Sequence, residues 1–497
     1  MKGATMSFIL TRDLISNRHD EPGPDIPAMF EQTDRLIRLR DEAPIDSEEF
    51  AETVRAIIDF QREDGSFSYL SSYEVPSDAR VDFVYHPTYI CCQILIKAML
   101  SGSPNKNILP ALQRGLEFSC SRRLMGHGID GLRDQMRTVQ DFIDSGIMTI
   151  LDYQPDLCPE FTAMLIEIAE EYAKMIEDCD TILPFGNDVT VKMIRIVKTL
   201  NGPVSVPVFV YGTLMSGEAN HYLIEDCEHL GPAAIFGFAL HDLGAYPAVK
   251  YTEKPLTATG ELILCDADAL ERLDILEQLG SLYDRAVANA FMDDGPVFKA
   301  YVYVYRNEVT DDSRVPEELQ PWPYLKELQR THVWYVAYGS NLLRERFMCY
   351  IEGGFCEDNG RAYDGCRDKT APLFDISVTI PYNVYFGNKS ASWGNSGVAF
   401  LDTSRTGLAF GRAYLVTKEQ LADIHEQEGN GANWYSSKQL IGKHAGIPMI
   451  TFTNTREREH VMPSKAYLDV MQRGLTEGAG ALTDELAEEY LQQAIER

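Results

Sequence analysis

From about Ser47 to Lys198 the apolar residues recur three and four positions apart, as in Phe50, Val54, Ile57 and Ile58 and again in Phe161, Met164, Leu165, Ile168 and Tyr172. That spacing is one face of an α-helix, so it predicts an all-helical region. Its interruptions are turn-like: Glu63 to Ser66, Ser101 to Pro104 and Gln154 to Asp156 carry the Gly, Pro, Ser and Asp that break helices. Past Asn201, Gly202 and Pro203 the pattern changes to short β-rich runs at 206–211, 262–265 and 298–305, with one clear helix between them, which predicts strands. A stretch at 311–323, rich in Asp, Pro and Glu, reads as a linker. A third region opens on a strand-like run at 332–338 and again mixes strands with a helix. The predicted division is a helical domain of unassigned role over 1–200, a second domain over 204–310, a linker over 311–330 and a third domain over 331–497. The order strand, Tyr-Gly loop, strands, helix occurs in both later domains, which points to an internal duplication.

In each copy an apolar strand runs into a glycine and a small hydroxyl residue: Tyr211, Gly212, Thr213 and Leu214 in one, Tyr338, Gly339, Ser340, Asn341 and Leu342 in the other. A glycine there lets the backbone turn sharply and lets a ligand approach the N–H groups closely. Alone, such a turn is common in structural roles. A second element strengthens it. Asp266 precedes Leu270, Leu273 and Glu277, and Thr417 precedes Leu421, Ile424 and Glu428, so each segment reads as a capped helix ending on a glutamate. At about 100° per residue each glutamate falls within about 40° of the two apolar residues before it, facing the domain interior. A carboxylate on an apolar face is costly unless it is paired or neutralised, and burial raises its pKa toward the range used in proton transfer at neutral pH. The competing reading is a glutamate that bends to solvent at a helix end.

These residues resemble a known family. The stretch Val208 to His221, followed by Leu273 to Glu277 and Leu282 to Arg285, resembles the γ-glutamylamine cyclotransferase branch of the γ-glutamylcyclotransferase-like superfamily. The stretch Val336 to Leu342, with Ser392, Trp393, Gly397 to Ala399, Glu426 to Gly429 and Pro463 to Tyr467, is similar to the classical γ-glutamylcyclotransferase branch. The resemblance implies a multidomain chain: an all-α N-terminal domain followed by two α+β domains, each a mostly antiparallel β-barrel with flanking helices. It implies a lyase that closes the glutamyl group of a small γ-glutamyl substrate into 5-oxoproline and releases an amine, with neither metal nor cofactor. Carried over residue by residue, the general acid/base falls on Glu277 and Glu428. Substrate binding falls on Tyr211, Gly212, Thr213, Leu214 and Tyr283, and on Tyr338, Gly339, Ser340, Asn341 and Leu342. The more numerous flanking matches around Glu428 favour the third domain as an active copy. By the same resemblance a γ-glutamyl amino acid or dipeptide suits the third domain and a γ-glutamylamine or γ-glutamyl-protected intermediate the middle one. The rival expectation is that one or both later domains are non-catalytic modules that bind a ligand or partner while the helical region does the main work.

Bulk properties narrow the setting. A chain of 497 residues with 45 basic and 75 acidic side chains carries a formal charge of −30, which repels nucleic-acid phosphates and anionic membrane surfaces. No apolar run reaches the roughly 18 residues a membrane helix needs. The N-terminal residues lack the layout of a secretory signal. The ten cysteines are scattered without a Cys-x-x-Cys pair, which fits reduced thiols and a cytoplasmic setting. Three weaker signals lie in the helical region. Gln61 to Phe67 is reminiscent of an α/α-toroid turn but occurs once. His86 and His127 with Asp82 and Asp130 suggest a metal or acid/base site less readily than structural roles, and Arg122 with Arg123 reads as a solvated face.

Overall fold

The computed structural model describes residues 26–68, 84–125, 131–182, 186–293, 295–478 and 480–496. Up to Leu200 the described residues form helices α1 (Ile26–Glu42), α2 (Glu48–Phe60), α3 (His86–Leu100), α4 (Ile108–Cys120), α5 (Gly131–Ser145), α6 (Ile147–Tyr153), α7 (Pro159–Glu177), α8 (Cys179–Ile182) and α9 (Asn187–Leu200). All three turn-like interruptions fall between helices. α3 is buried along most of its length, from Pro87 through Ile96, as a helix that is apolar on every side must be. Of the polar cluster noted in this region, His86 opens α3, whereas Asp82, His127 and Asp130 lie outside the described residues.

The middle domain comprises β1 (Val206–Val210), β2 (Glu228–Phe236), β3 (Phe238–Asp242), β4 (Pro247–Tyr251), β5 (Thr257–Cys265), α10 (Ala267–Leu276), β6 (Tyr283–Phe291) and β7 (Val297–Tyr305). Five of the strands close a barrel in the order β1-β5-β2-β6-β7, with β3 and β4 as a separate hairpin. β1 runs antiparallel to β5 and parallel to β7.

The last domain begins with α11 (Trp322–Thr331) and β8 (His332–Ala337), then α12 (Arg344–Glu352), β9 (Gly354–Cys356), β10 (Arg361–Tyr363) and β11 (Asp375–Ile380). It continues through β12 (Asn383–Ser390), β13 (Ser396–Asp402), β14 (Ala409–Thr417), α13 (Lys418–Glu428), β15 (Ser437–His444), β16 (Ile447–Thr453), α14 (Lys465–Leu475) and α15 (Asp484–Glu496). Its five-stranded sheet has the order β11-β14-β8-β16-β15. β8 is again antiparallel to its neighbour β14 and parallel to β16. Strand for strand this repeats the middle domain, including the separate hairpin, here β12 and β13. One expectation needs correction: this second sheet is open rather than a closed barrel. The middle barrel is sealed by just two residue pairs, Ala234 with Phe291 and Ile235 with Ala290. In the last domain a bulge between Leu440 and Gly442 bends β15, and the gap between β11 and β15 is lined by Arg314, Pro316, Glu317 and Glu318 of the connecting segment.

That segment is therefore a packed strap and not a free linker. Val315 N–H donates to the Leu240 carbonyl at 2.8 Å, and Thr257 and Thr259 N–H groups donate to Glu317 and Gln320 side chains at 2.7 and 2.8 Å. Val315, Leu319 and Trp322 are buried in a core shared with the barrel and the last domain. The polar composition of 311–323 hid these three apolar anchors. On β1, Val206, Val208 and Val210 join the core of the helical domain while Phe209 and Tyr211 join the barrel interior, the alternation of a pleated strand. β8 alternates in step: Val333, Tyr335 and Ala337 pack toward α12 and α13, and Trp334, Val336 and Tyr338 pack into the shared core.

Candidate active site

Where β1 ends, Gly212 is required by space, because a Cβ there would lie 2.3 Å from Pro247 Cγ. The loop is pinned from both sides. Tyr211 donates its hydroxyl to the Tyr303 carbonyl on β7 at 2.6 Å, and Asn220 Nδ2 donates to Thr213 Oγ1 at 3.0 Å. Across the cavity, Asp266 caps α10 by accepting the N–H groups of Asp268 and Ala269, and Leu270 and Leu273 bury its apolar face. The helix therefore ends with Glu277 at its C-cap, half-buried, its N–H donating to the Leu273 carbonyl at 2.9 Å. Tyr283 donates to the Pro247 carbonyl at 2.9 Å. Tyr211, Gly212, Thr213, Leu214, Glu277 and Tyr283, all singled out in the sequence, line one cavity of about 240 Å³. Burial alone pushes the Glu277 carboxyl up to about 7.

The last domain repeats the arrangement. Tyr338 donates to the Phe452 carbonyl on β16 at 2.7 Å, the counterpart of the Tyr211 bond in the same parallel register. A Cβ on Gly339 would lie 2.8 Å from the Tyr467 hydroxyl. Thr417 and Gln420 form a reciprocal capping box, Leu421 and Ile424 are buried, and α13 ends on Glu428. Tyr435 donates to the Ala399 carbonyl at 2.9 Å, matching Tyr283 in the first copy. Here the glutamate has partners: Tyr335 and Asn341 donate to Glu428 Oε1 at 2.9 and 2.7 Å. Burial raises the Glu428 carboxyl, and the two donors with the nearby Arg346 charge pull against that. Tyr338, Gly339, Ser340, Asn341 and Glu428 line an inner cavity of about 40 Å³. Ser340, Glu428, Tyr435 and Tyr467 also face an outer cavity of about 360 Å³.

One expected binding residue is placed elsewhere. Leu342 lines neither cavity; it is 1% exposed, and its carbonyl accepts from Tyr414 at 3.1 Å, because the short helical turn over Ser340–Leu342 rotates it into the core. Residues the sequence reading did not assign are Asn220, Tyr246 and Pro247 in the first cavity and Tyr335, Arg346, Tyr435 and Tyr467 in the second. Tyr435 was signalled by spacing, seven residues past Glu428 where Tyr283 stands six past Glu277. Tyr467 closes a stretch whose resemblance was noted. Nothing local marks Arg346.

Comparison with known proteins bears on this geometry. The family described as "Gamma-glutamyl cyclotransferase, AIG2-like" matches residues 208–323, the middle domain and its strap. A candidate γ-glutamylcyclotransferase of Vibrio cholerae is 38% identical over 100 residues, covering 81% of that protein and 20% of this chain. The chain belongs to the γ-glutamylcyclotransferase family. A solved γ-glutamyl cyclotransferase structure overlaps 33% of this family member and 88% of its own length at 22% identity and a TM-score of 0.25. Histone deacetylase 5 of Arabidopsis thaliana is 30% identical over 215 residues, and the chain spans 32% of that protein's length. Among the described residues no helix is long and apolar enough to cross a membrane, and no three His, Cys, Asp or Glu side chains are grouped to hold a metal ion.

Proposed function

We propose that the chain is a γ-glutamyl cyclotransferase with two sites, Glu277 and Glu428 serving as general acid/base, that releases 5-oxoproline and an amine. The observation that carries this reading is the repetition in both copies of a Tyr-anchored glycine loop facing a helix-end glutamate raised by burial. In the reaction the α-amino nitrogen attacks the substrate's own γ-carbonyl carbon, forming the ring C–N bond, and the original amide C–N bond breaks. Nucleophile and electrophile share one molecule, so the protein's main task is to hold them in an attack geometry. One proton must leave the ammonium and one must reach the departing nitrogen, and a single carboxylate can relay it. A carboxyl near 7 is poised to do both at neutral pH. The loop N–H groups after Gly212 and Gly339, with the hydroxyls of Thr213 and Ser340, suit the developing oxyanion. In the second copy the buried Asn341 Oδ1 has no hydrogen-bond partner among the described residues, and it suits the substrate ammonium.

The test is 5-oxoproline release from a panel of γ-glutamyl compounds by the parent protein, by Glu277→Gln, by Glu428→Gln and by the double variant. Each single variant should lose one part of the activity, by about 100-fold or more at its own site, and the double variant nearly all. Undiminished release by the double variant sinks the assignment of the carboxylates; no release by the parent sinks the activity.

A further inference from the structure

Arg346 on α12 is 2% exposed, yet no carboxylate lies within ion-pair distance of it among the described residues, and its Nε has no hydrogen-bond partner. Its other nitrogens donate to neutral groups: Nη1 to Cys356 Sγ at 3.1 Å, Nη2 to the Tyr363 hydroxyl at 2.9 Å, and both to the Asn359 side-chain oxygen, at 3.2 and 3.3 Å, with that amide turned to face them. The guanidinium also lies 5.0 Å from the Trp393 ring centroid. A buried, incompletely satisfied cation is expensive, and proteins retain one where an anion completes it. This chain has 75 acidic and 45 basic side chains, so its cations rarely lack a partner by shortage of carboxylates. Arg346 faces the outer cavity of about 360 Å³. Arg361, carried by the β9–β10 hairpin, lines the same cavity. It donates to Ser392 at 3.2 Å and has no carboxylate partner among the described residues either. The carboxylates on this cavity are Glu428 itself and Glu426, exposed at the rim. The first copy differs: the residues lining its cavity include no Arg or Lys.

We propose that Arg346 and Arg361 form a carboxylate-binding subsite in the outer cavity of the last domain. This rests on the γ-glutamyl reading of the neighbouring inner cavity. A γ-glutamyl amino acid offers two carboxylates, one on the glutamyl α-carbon and one on the leaving amine, and a planar guanidinium fork matches either. A γ-glutamylamine offers only the first. The proposal thus gives the two copies different demands, since an anionic substrate end finds a cationic wall in one cavity and none in the other.

Binding can be read without turnover. In the Glu277→Gln, Glu428→Gln double variant, titration calorimetry with γ-glutamylalanine and with γ-glutamylethylamine is compared before and after Arg361→Gln and Arg346→Lys. The middle cavity contains neither arginine, so changes belong to the last domain. Weakening of about tenfold or more confined to γ-glutamylalanine supports the subsite and assigns it to the leaving group. Equal weakening of both ligands supports it and assigns it to the glutamyl α-carboxylate. Unchanged binding of both ligands by folded Arg361→Gln and Arg346→Lys proteins overturns it. So does an effect limited to the pH dependence of turnover in an otherwise active enzyme, which would make Arg346 a positioning charge for Glu428. Arginine-dependent binding in a chain that releases no 5-oxoproline keeps the subsite and discards the reaction. Arg361 is exposed, so its variant remains informative if Arg346→Lys does not fold.

Discussion

Counted from the loop tyrosine, Val208 and Leu214 of the middle domain stand where the last domain has Tyr335 and Asn341. The latter two donate to Glu428, and burial alone raises Glu277 to about 7. Replacing Leu214 by Asn should supply a donor to the ionised Glu277 and lower its pKa by on the order of one unit. The acid limb of the middle site's kcat/KM profile, measured in a Glu428→Gln background, should move to lower pH by the same amount. Stability carries a second signature. Between an unfolded pKa near 4.3 and the folded value of about 7, the folded chain holds a proton the unfolded chain has released. Stability therefore falls as pH rises through that window and levels off above it. The full shift corresponds to about 4 kcal/mol, an upper bound for a half-buried group. Urea denaturation at pH 5 and pH 8 should show this loss in the parent and a flatter dependence in Glu277→Gln. The position of each glutamate at the end of a helix was legible in the sequence because a helix register is local. Tyr467 was marked only as the end of a resembling stretch and Arg346 not at all, because α14 and α12 reach the cavity only through tertiary packing.

The helices and loops that carry these groups are held by short-range devices and by one close approach. Asp266 and Thr417 cap the two glutamate helices, and truncating either to Ala should cost about 1 kcal/mol in a denaturant melt. Gly474 on α14 is more demanding. A Cβ there would lie 2.4 Å from the Leu343 nitrogen, under the Ser340–Leu342 turn. Gly474→Ala should lower stability by about 1–3 kcal/mol and reduce turnover at the Glu428 site while leaving the Glu277 site intact, which substrate-specific assays of the two single Gln variants resolve. Caps and helix starts were readable because each is set by a few adjacent residues. β15, with its alternating and largely exposed pattern, was not, since it lacks the apolar run that marked β1 and β8. The strap over 311–323 misled because prolines and acids outnumber its three buried anchors.

Across the whole molecule the three regions share interiors. One core joins the helical domain to β1, β5 and α10, and another joins the barrel to the strap and the last domain. Trp322 sits in the second, 4% exposed, its Nε1 donating to Asp242 at 2.9 Å. Trp322→Ala should cost about 3–5 kcal/mol, and calorimetry should show the barrel and the last domain losing stability together. The change from helices to strands past Leu200 was visible in the hydrophobic pattern, but the shared interiors were not, because apolar anchors on separate segments become neighbours only after folding. This joint interior bears on how the duplicated chain can evolve. Losing either copy would lay bare the apolar flank of what remains, so deletion is an expensive route. Divergence by point substitution inside each cavity stays cheap. Two cavities made in fixed one-to-one ratio, each free to drift in its lining, are the expected product of that constraint.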